Sequence, residues 1–202
     1  MAKRRNPEMT LKGWLALARS EAVRERISSE QGLDDFQAVI RVVNRHSKLD
    51  WDEAVCALHM VYAWMPTMLR PTVDHTEQQR VRLLNTLNSA KGGKWLDCAQ
   101  LDWVKQFSNR SVVGASKLLH ALNPDNYVIW DSRVAEVFLW KGVASATYST
   151  VDRYIEYLIS IRQWVKVPEV IAICSVLRKV NTALADAGDL RMIELVLFRG
   201  IK

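Results

Sequence analysis

The sequence predicts an all-α fold on three observations. Apolar residues recur at helical spacing almost throughout, and no stretch alternates for long enough to make a strand. Between the periodic runs fall the Pro, Gly, Ser and Asp residues that start and stop helices. The 202 residues suit a single domain over 1–202, drawn as one body or as two helical lobes with a cleft between them. Apolar residues make up 49% of the chain and charged residues 25%, an ordinary globular composition. No run approaches the roughly 18 apolar residues of a membrane span, so no membrane partner is expected.

Residues 1–9, within MAKRRNPEMT, carry the charge of a signal peptide with no apolar stretch behind it, and read as a loose basic arm. A helix over 34–46 places Phe36, Val39, Ile40 and Val43 on one face, and one over 51–65 places Trp51, Val55, Leu58, Tyr62 and Met65, stopped by Pro66. A more polar helix over 74–88 turns Arg80 and Arg82 outward, and NSAKGGK (88–94) reads as a break. A helix over 95–107, a turn SNRSVVG (108–114) and a short helix over 115–122 make a helix–hairpin–helix across 95–123. NYVIW (126–130) is extended but too short to make a sheet. Asp131 and Ser132 then cap a helix through Val134, Val137 and Phe138. After a loop at 141–150, Val151, Tyr154, Ile155 and Leu158 begin another helix. Pro168 takes the first position of the next, closed by Gly188, and Asp189 caps the last.

The net charge of +6, from 28 Lys and Arg against 22 Asp and Glu, favours an anionic partner, most commonly nucleic acid. Of eight tryptophans, six are expected in the core, which leaves two for an interface or for stacking on a planar ligand. Cys56, Cys98 and Cys174 lack metal-ligand spacing and read as three reduced core thiols of a cytoplasmic protein. No G-x-G-x-x-G or H-E-x-x-H occurs, and GGKW fails as a phosphate-binding loop, so neither cofactor nor metal is expected.

The chemistry-bearing constellation lies at 95–138. A hairpin of this size presents backbone N–H groups to a phosphate, with Asn109, Arg110, Ser111 and Ser116 adding contacts and Gly114 letting a DNA backbone come close. On a wheel over 115–122, Ala115, Leu118, Leu119 and Leu122 form the buried face. Lys117 then lies opposite, beside His120 and Ala121, either simply solvated or covered by DNA. Asp131 doubles as a helix cap worth about 1 kcal/mol and as a carboxylate held in one rotamer, the state a catalytic carboxylate requires.

The stretch SVVGASKLLHALNPDNYVIWDSRV resembles the catalytic segment of the helix-hairpin-helix DNA glycosylases, in their 8-oxoguanine glycosylase branch. Lys117 matches that family's nucleophilic lysine, and Asp131 its helix-capping aspartate. The hairpin departs from the family's L-P-G-V-G pattern, and the separation of Lys from Asp is shorter, which points to a remote branch with a non-standard substrate. The resemblance implies that the target base is flipped from the duplex and that Lys117 attacks C1′ of its sugar to form a Schiff base. For that attack the amine must be neutral, against a free lysine pKa of about 10.4. Asp131 would stabilise the oxocarbenium-like sugar.

Trp130 and Trp95 are the candidate stacking walls of the base pocket, and His120, Asn123, Asp125 and Arg133 are candidates to read base edges or phosphates. The expected partner is double-stranded DNA carrying a damaged or modified base, bound by a monomer at the nucleoid. The use would be base-excision repair or restriction of foreign, phage-type DNA. The competing readings are an all-α DNA-binding module with the glycosylase shape but no chemistry, and a helical scaffold that serves another protein.

Overall fold

The computed structural model describes residues 9–65, 68–69, 75–139 and 150–200. The described residues hold eleven α-helices, one 3-10 turn and no strand. The chain divides into two compact units: a central unit over Gln31–Ile129, and a terminal unit joining Met1–Glu30 to Trp130–Lys202. The expected loop at 141–150 lies outside the described residues except for Thr150, and of the basic arm only Met9 is described. Met9 is buried and donates its backbone N–H to the Phe138 carbonyl at 2.7 Å.

In the central unit α3 (Leu33–Val43), α4 (Trp51–Ala63), α5 (Glu77–Lys91) and α6 (Cys98–Phe107) all pack on α7 (Val112–Leu122). Asp50, Thr76 and Asp97 start α4, α5 and α6 with reciprocal capping boxes, each satisfying two backbone donors at the helix start. Three asparagines close the unit where helices end. Asn88 bonds both backbone groups of Leu49, Asn44 donates to Ala121 O at 2.8 Å, and Asn123 donates to the carbonyls of Ala90 and Lys91.

Three boundaries differ from the sequence expectation. Helix α5 runs through Lys91, because the polar side chains of Asn88 and Lys91 are spent on tertiary bonds to Leu49 and Val43 while Ala90 packs inward. The chain breaks only at Gly92 and at Gly93, whose φ of 91° suits glycine alone. Helix α6 starts at Cys98 rather than 95, so Trp95 precedes it. Helix α7 starts at Val112 rather than 115, because the Ser111 side chain caps it by accepting from Gly114 N at 3.1 Å.

The terminal unit is made of α1 (Leu11–Arg19), α2 (Glu21–Ser28), α8 (Ser132–Phe138), α9 (Val151–Trp164) and α10 (Pro168–Arg178), all packed around α11 (Asp189–Arg199). Trp14 of α1 donates its indole N–H to the Ile193 carbonyl of α11 at 3.0 Å. Asn181 collects the free carbonyls of Ile27, Ser28 and Glu30 at the end of α2. Pro168 takes the first position of α10 as expected, but α10 ends at Arg178, not at Gly188. A 3-10 turn (Thr182–Leu184) intervenes, Gly188 is the N-cap of α11, and Asp189 is its first residue, paired with Arg178. Helices α1 and α2, which the periodicity reading passed over, bury Trp14, Ala18, Val23 and Ile27.

Trp14, Trp130 and Trp164 are core residues, whereas Trp51, Trp64, Trp95 and Trp103 are half-buried, fewer core indoles than expected. Arg80 and Arg82 account for two of the half-buried rings by lying over Trp51 and Trp103, each 5.2 Å from the ring centroid. The three cysteines were expected in the core. Only Cys174 is buried, and burial pushes its thiol up to about 12, while Cys56 and Cys98 are exposed.

Candidate active site

The lysine of the resemblance sits on the most enclosed helix of its unit. From Gly114 to Leu122 every residue of α7 is buried, and Lys117 itself is only 7% exposed. The expectation of a solvated or DNA-facing side for Lys117, His120 and Ala121 is therefore corrected. A helix enclosed by α3, α4, α5 and α6 has no solvent face, and its wheel is apolar all round except at these few positions. Because α7 begins at Val112, Lys117 also lies in the second turn rather than at the helix start.

The surroundings of Lys117 are aromatic. Its Nζ lies 4.9 Å from the centroid of the Trp64 ring at the C-cap of α4, and Trp64 packs on Phe36 of α3 at 4.6 Å. Phe36 in turn stacks on His120 at 5.8 Å and 17°. His120 is one turn along α7 from Lys117, so the chain of rings returns to the helix it started from. His120 Nδ1 donates to the Tyr127 carbonyl at 2.6 Å, which fixes that ring. A lysine ammonium over an indole face gains about 2 kcal/mol from the ring quadrupole where it is desolvated. Trp64 was not among the expected site residues. Nothing in the local sequence around it marks the contact with Lys117.

The hairpin between α6 and α7 is tighter than expected and turned largely inward. Asn109 and Arg110 are both left-handed, with φ of 54° and 55°, an unfavourable state for arginine. Asn109 donates to the Met68 carbonyl at 3.0 Å, and Arg110 is exposed. The other three candidate DNA contacts are engaged internally. The Ser111 hydroxyl caps α7, and buried Ser116 donates to Val113 O at 2.8 Å. Gly114 makes room for Tyr62 rather than for DNA: a Cβ there would collide with the Tyr62 hydroxyl and lie 3.1 Å from its ring carbon. That hydroxyl donates to Ser108 O at 2.9 Å. Burial pushes its pKa up, and its bond with Ser111 offsets part of the rise.

The aspartate is placed in the terminal unit by α8. Asp131 is the N-cap, and its Oδ1 accepts from Val134 N at 3.0 Å, as the sequence predicts. Its chain neighbour Trp130 is 0% exposed and packs on Tyr157 at 4.8 Å and on Phe138 at 6.0 Å. Trp130 is thus a core ring of this unit with no face left for a base, a correction to its expected role as a stacking wall. Helices α8 and α11 pack closely, and α11 carries a buried ion pair, Arg191 with Glu194, whose side chains are 6% and 1% exposed. Tyr157 is buried beside them, and its hydroxyl finds no hydrogen-bond partner among the described residues. Burial holds that phenol well above its usual range. The charges of Glu194 and Asp131 add to the effect, and Arg191 opposes it.

The sequence reading passed over Arg191, Glu194 and Tyr157. The signal lay in DLRMIELVLF, where apolar residues on every side leave the two charges no solvent face. The remaining candidates scatter. Asn123 holds the end of α5, Asp125 is exposed in a turn, Trp95 is half-buried ahead of α6, and Arg133 is exposed over the Phe198 ring at 5.1 Å. Among the described residues no group of His, Cys, Asp or Glu is arranged to hold a metal ion, and no helix is long and apolar enough to cross a membrane. No family model, no curated protein and no solved structure matches this chain.

Proposed function

We propose that the chain is a DNA glycosylase that removes a damaged or modified base through Lys117, assisted by Asp131. The observation that carries this reading is a lysine buried on the central helix of a unit, with its amine nitrogen over an indole. Lysine is among the side chains least often buried, and that rarity supports a role for the amine. The cap that fixes Asp131, the basic excess of the chain and the exposed Arg110 at the hairpin support the same reading.

The chemistry runs as follows. The neutral Nζ of Lys117 bonds to C1′ of the flipped nucleotide while the bond from C1′ to the base nitrogen breaks. The base leaves with the electron pair and takes up a proton, and Nζ loses one. Opening of the sugar ring gives a protonated Schiff base, which water hydrolyses to an abasic site and free lysine. The Asp131 carboxylate stabilises the positive charge that develops on the sugar. The reading requires the Lys117 amine, only 7% exposed in this structure, to be uncovered when a flipped nucleotide binds. A screen of duplexes carrying different lesions and modified pyrimidines, scored for abasic-site formation, tests it. Salt-sensitive DNA binding without base release would favour the non-catalytic module instead.

A further inference from the structure

The terminal unit keeps an ion pair and a phenol in its core where apolar residues would pack as well. Replacing a buried pair by hydrophobic residues is often neutral or stabilising, and a buried hydroxyl without a partner is a cost with no structural return. Tyr157 has such a hydroxyl, and its ring stacks on Trp130, the residue next to Asp131. Asp131 is half-buried, and its Oδ1 accepts from Val134 N, which leaves its Oδ2 as the oxygen not engaged in the cap. A buried donor lacking an acceptor thus stacks on the chain neighbour of the half-buried Asp131, near enough for that carboxylate's charge to act on it.

We propose that Tyr157, held in place by the Trp130 stack and flanked by the buried Arg191–Glu194 pair, is a positioning residue for Asp131. Its O–H is the donor reserved for the second carboxylate oxygen when the sugar is bound. Because burial keeps the phenol protonated, the donor is present throughout the neutral range. Aiming Oδ2 leaves Oδ1 on the helix cap, so the carboxylate is held at both ends while charge develops on the sugar. This proposal rests on the glycosylase reading and adds a residue to it.

The test is a double-mutant cycle on a duplex that the wild-type protein cleaves, with single-turnover base release, DNA affinity and melting temperature measured for each protein. Tyr157→Phe is expected to melt at the wild-type temperature or above it and to bind DNA within twofold of wild type, with base release slowed at least tenfold. In an Asp131→Asn background the same change is expected to alter the rate by less than twofold, because the group it positions is gone. A Tyr157→Phe rate within twofold of wild type overturns the proposal. So does an undiminished rate loss in the Asp131→Asn background, or a fall in melting temperature that accompanies the loss. If the wild-type protein releases no base from any duplex, the glycosylase reading fails and this proposal falls with it. That outcome is distinct from an active enzyme indifferent to Tyr157.

Discussion

Each unit is built around one helix enclosed by its neighbours, and the two helices set different neighbours around buried charge. Helix α7 carries Lys117 against Trp64 within a chain of rings that runs through Phe36 to His120. Helix α11 carries Arg191 and Glu194 as an internal pair, with the Tyr157 hydroxyl beside them. A ring face by itself attracts a cation less strongly than a carboxylate does. The ionic arrangement binds each charge strongly to its partner and tolerates little change.

The largest effect expected from this contrast is on stability. Glu194→Ala leaves the Arg191 guanidinium uncompensated in the core and should cost about 3–5 kcal/mol, read as a fall in denaturation midpoint. Next comes activity at the cap. Asp131→Asn preserves an N-cap, so stability should hold, while base release falls on the order of 10²–10³-fold with the loss of the stabilising charge. Asp131→Ala should show the same kinetic loss together with about 1 kcal/mol of lost stability.

In the central unit Trp64→Leu removes the ring beneath the ammonium, and its melting curve should report a loss of about 1–2 kcal/mol, well short of the Glu194→Ala cost. If the two losses were equal, the distinction between aromatic and ionic confinement would disappear. The smallest effect is chemical. With its thiol near 12, Cys174 should stay unlabelled by a maleimide at neutral pH in the folded protein, while exposed Cys56 and Cys98 react, as mass spectrometry of the labelled protein would show.

Helix periodicity made the all-α class legible, along with most elements from α3 onward and the Asp131 cap. It failed at the two enclosed helices for one physical reason. A wheel drawn over 115–122 finds an apolar face and assigns the remainder to solvent, but α7 has neighbours on all sides and no solvent face to give Lys117. The same feature hid the pair on α11, although DLRMIELVLF left its charges nowhere polar to go. Hairpin residues were misassigned because a serine or glycine near a helix start serves capping and close packing as readily as phosphate binding. Ser111 caps α7 and Gly114 admits Tyr62. Trp64 was out of reach, since its role depends on helices α4 and α7 being brought side by side by the fold.

The most direct test of the account is borohydride trapping on duplexes bearing modified or damaged bases. The account predicts a covalent protein–DNA adduct, mapped by peptide mass to Lys117, that is lost in Lys117→Gln while that variant still binds the duplex. An adduct on a different lysine, or base release that proceeds undiminished in Lys117→Gln, would contradict it.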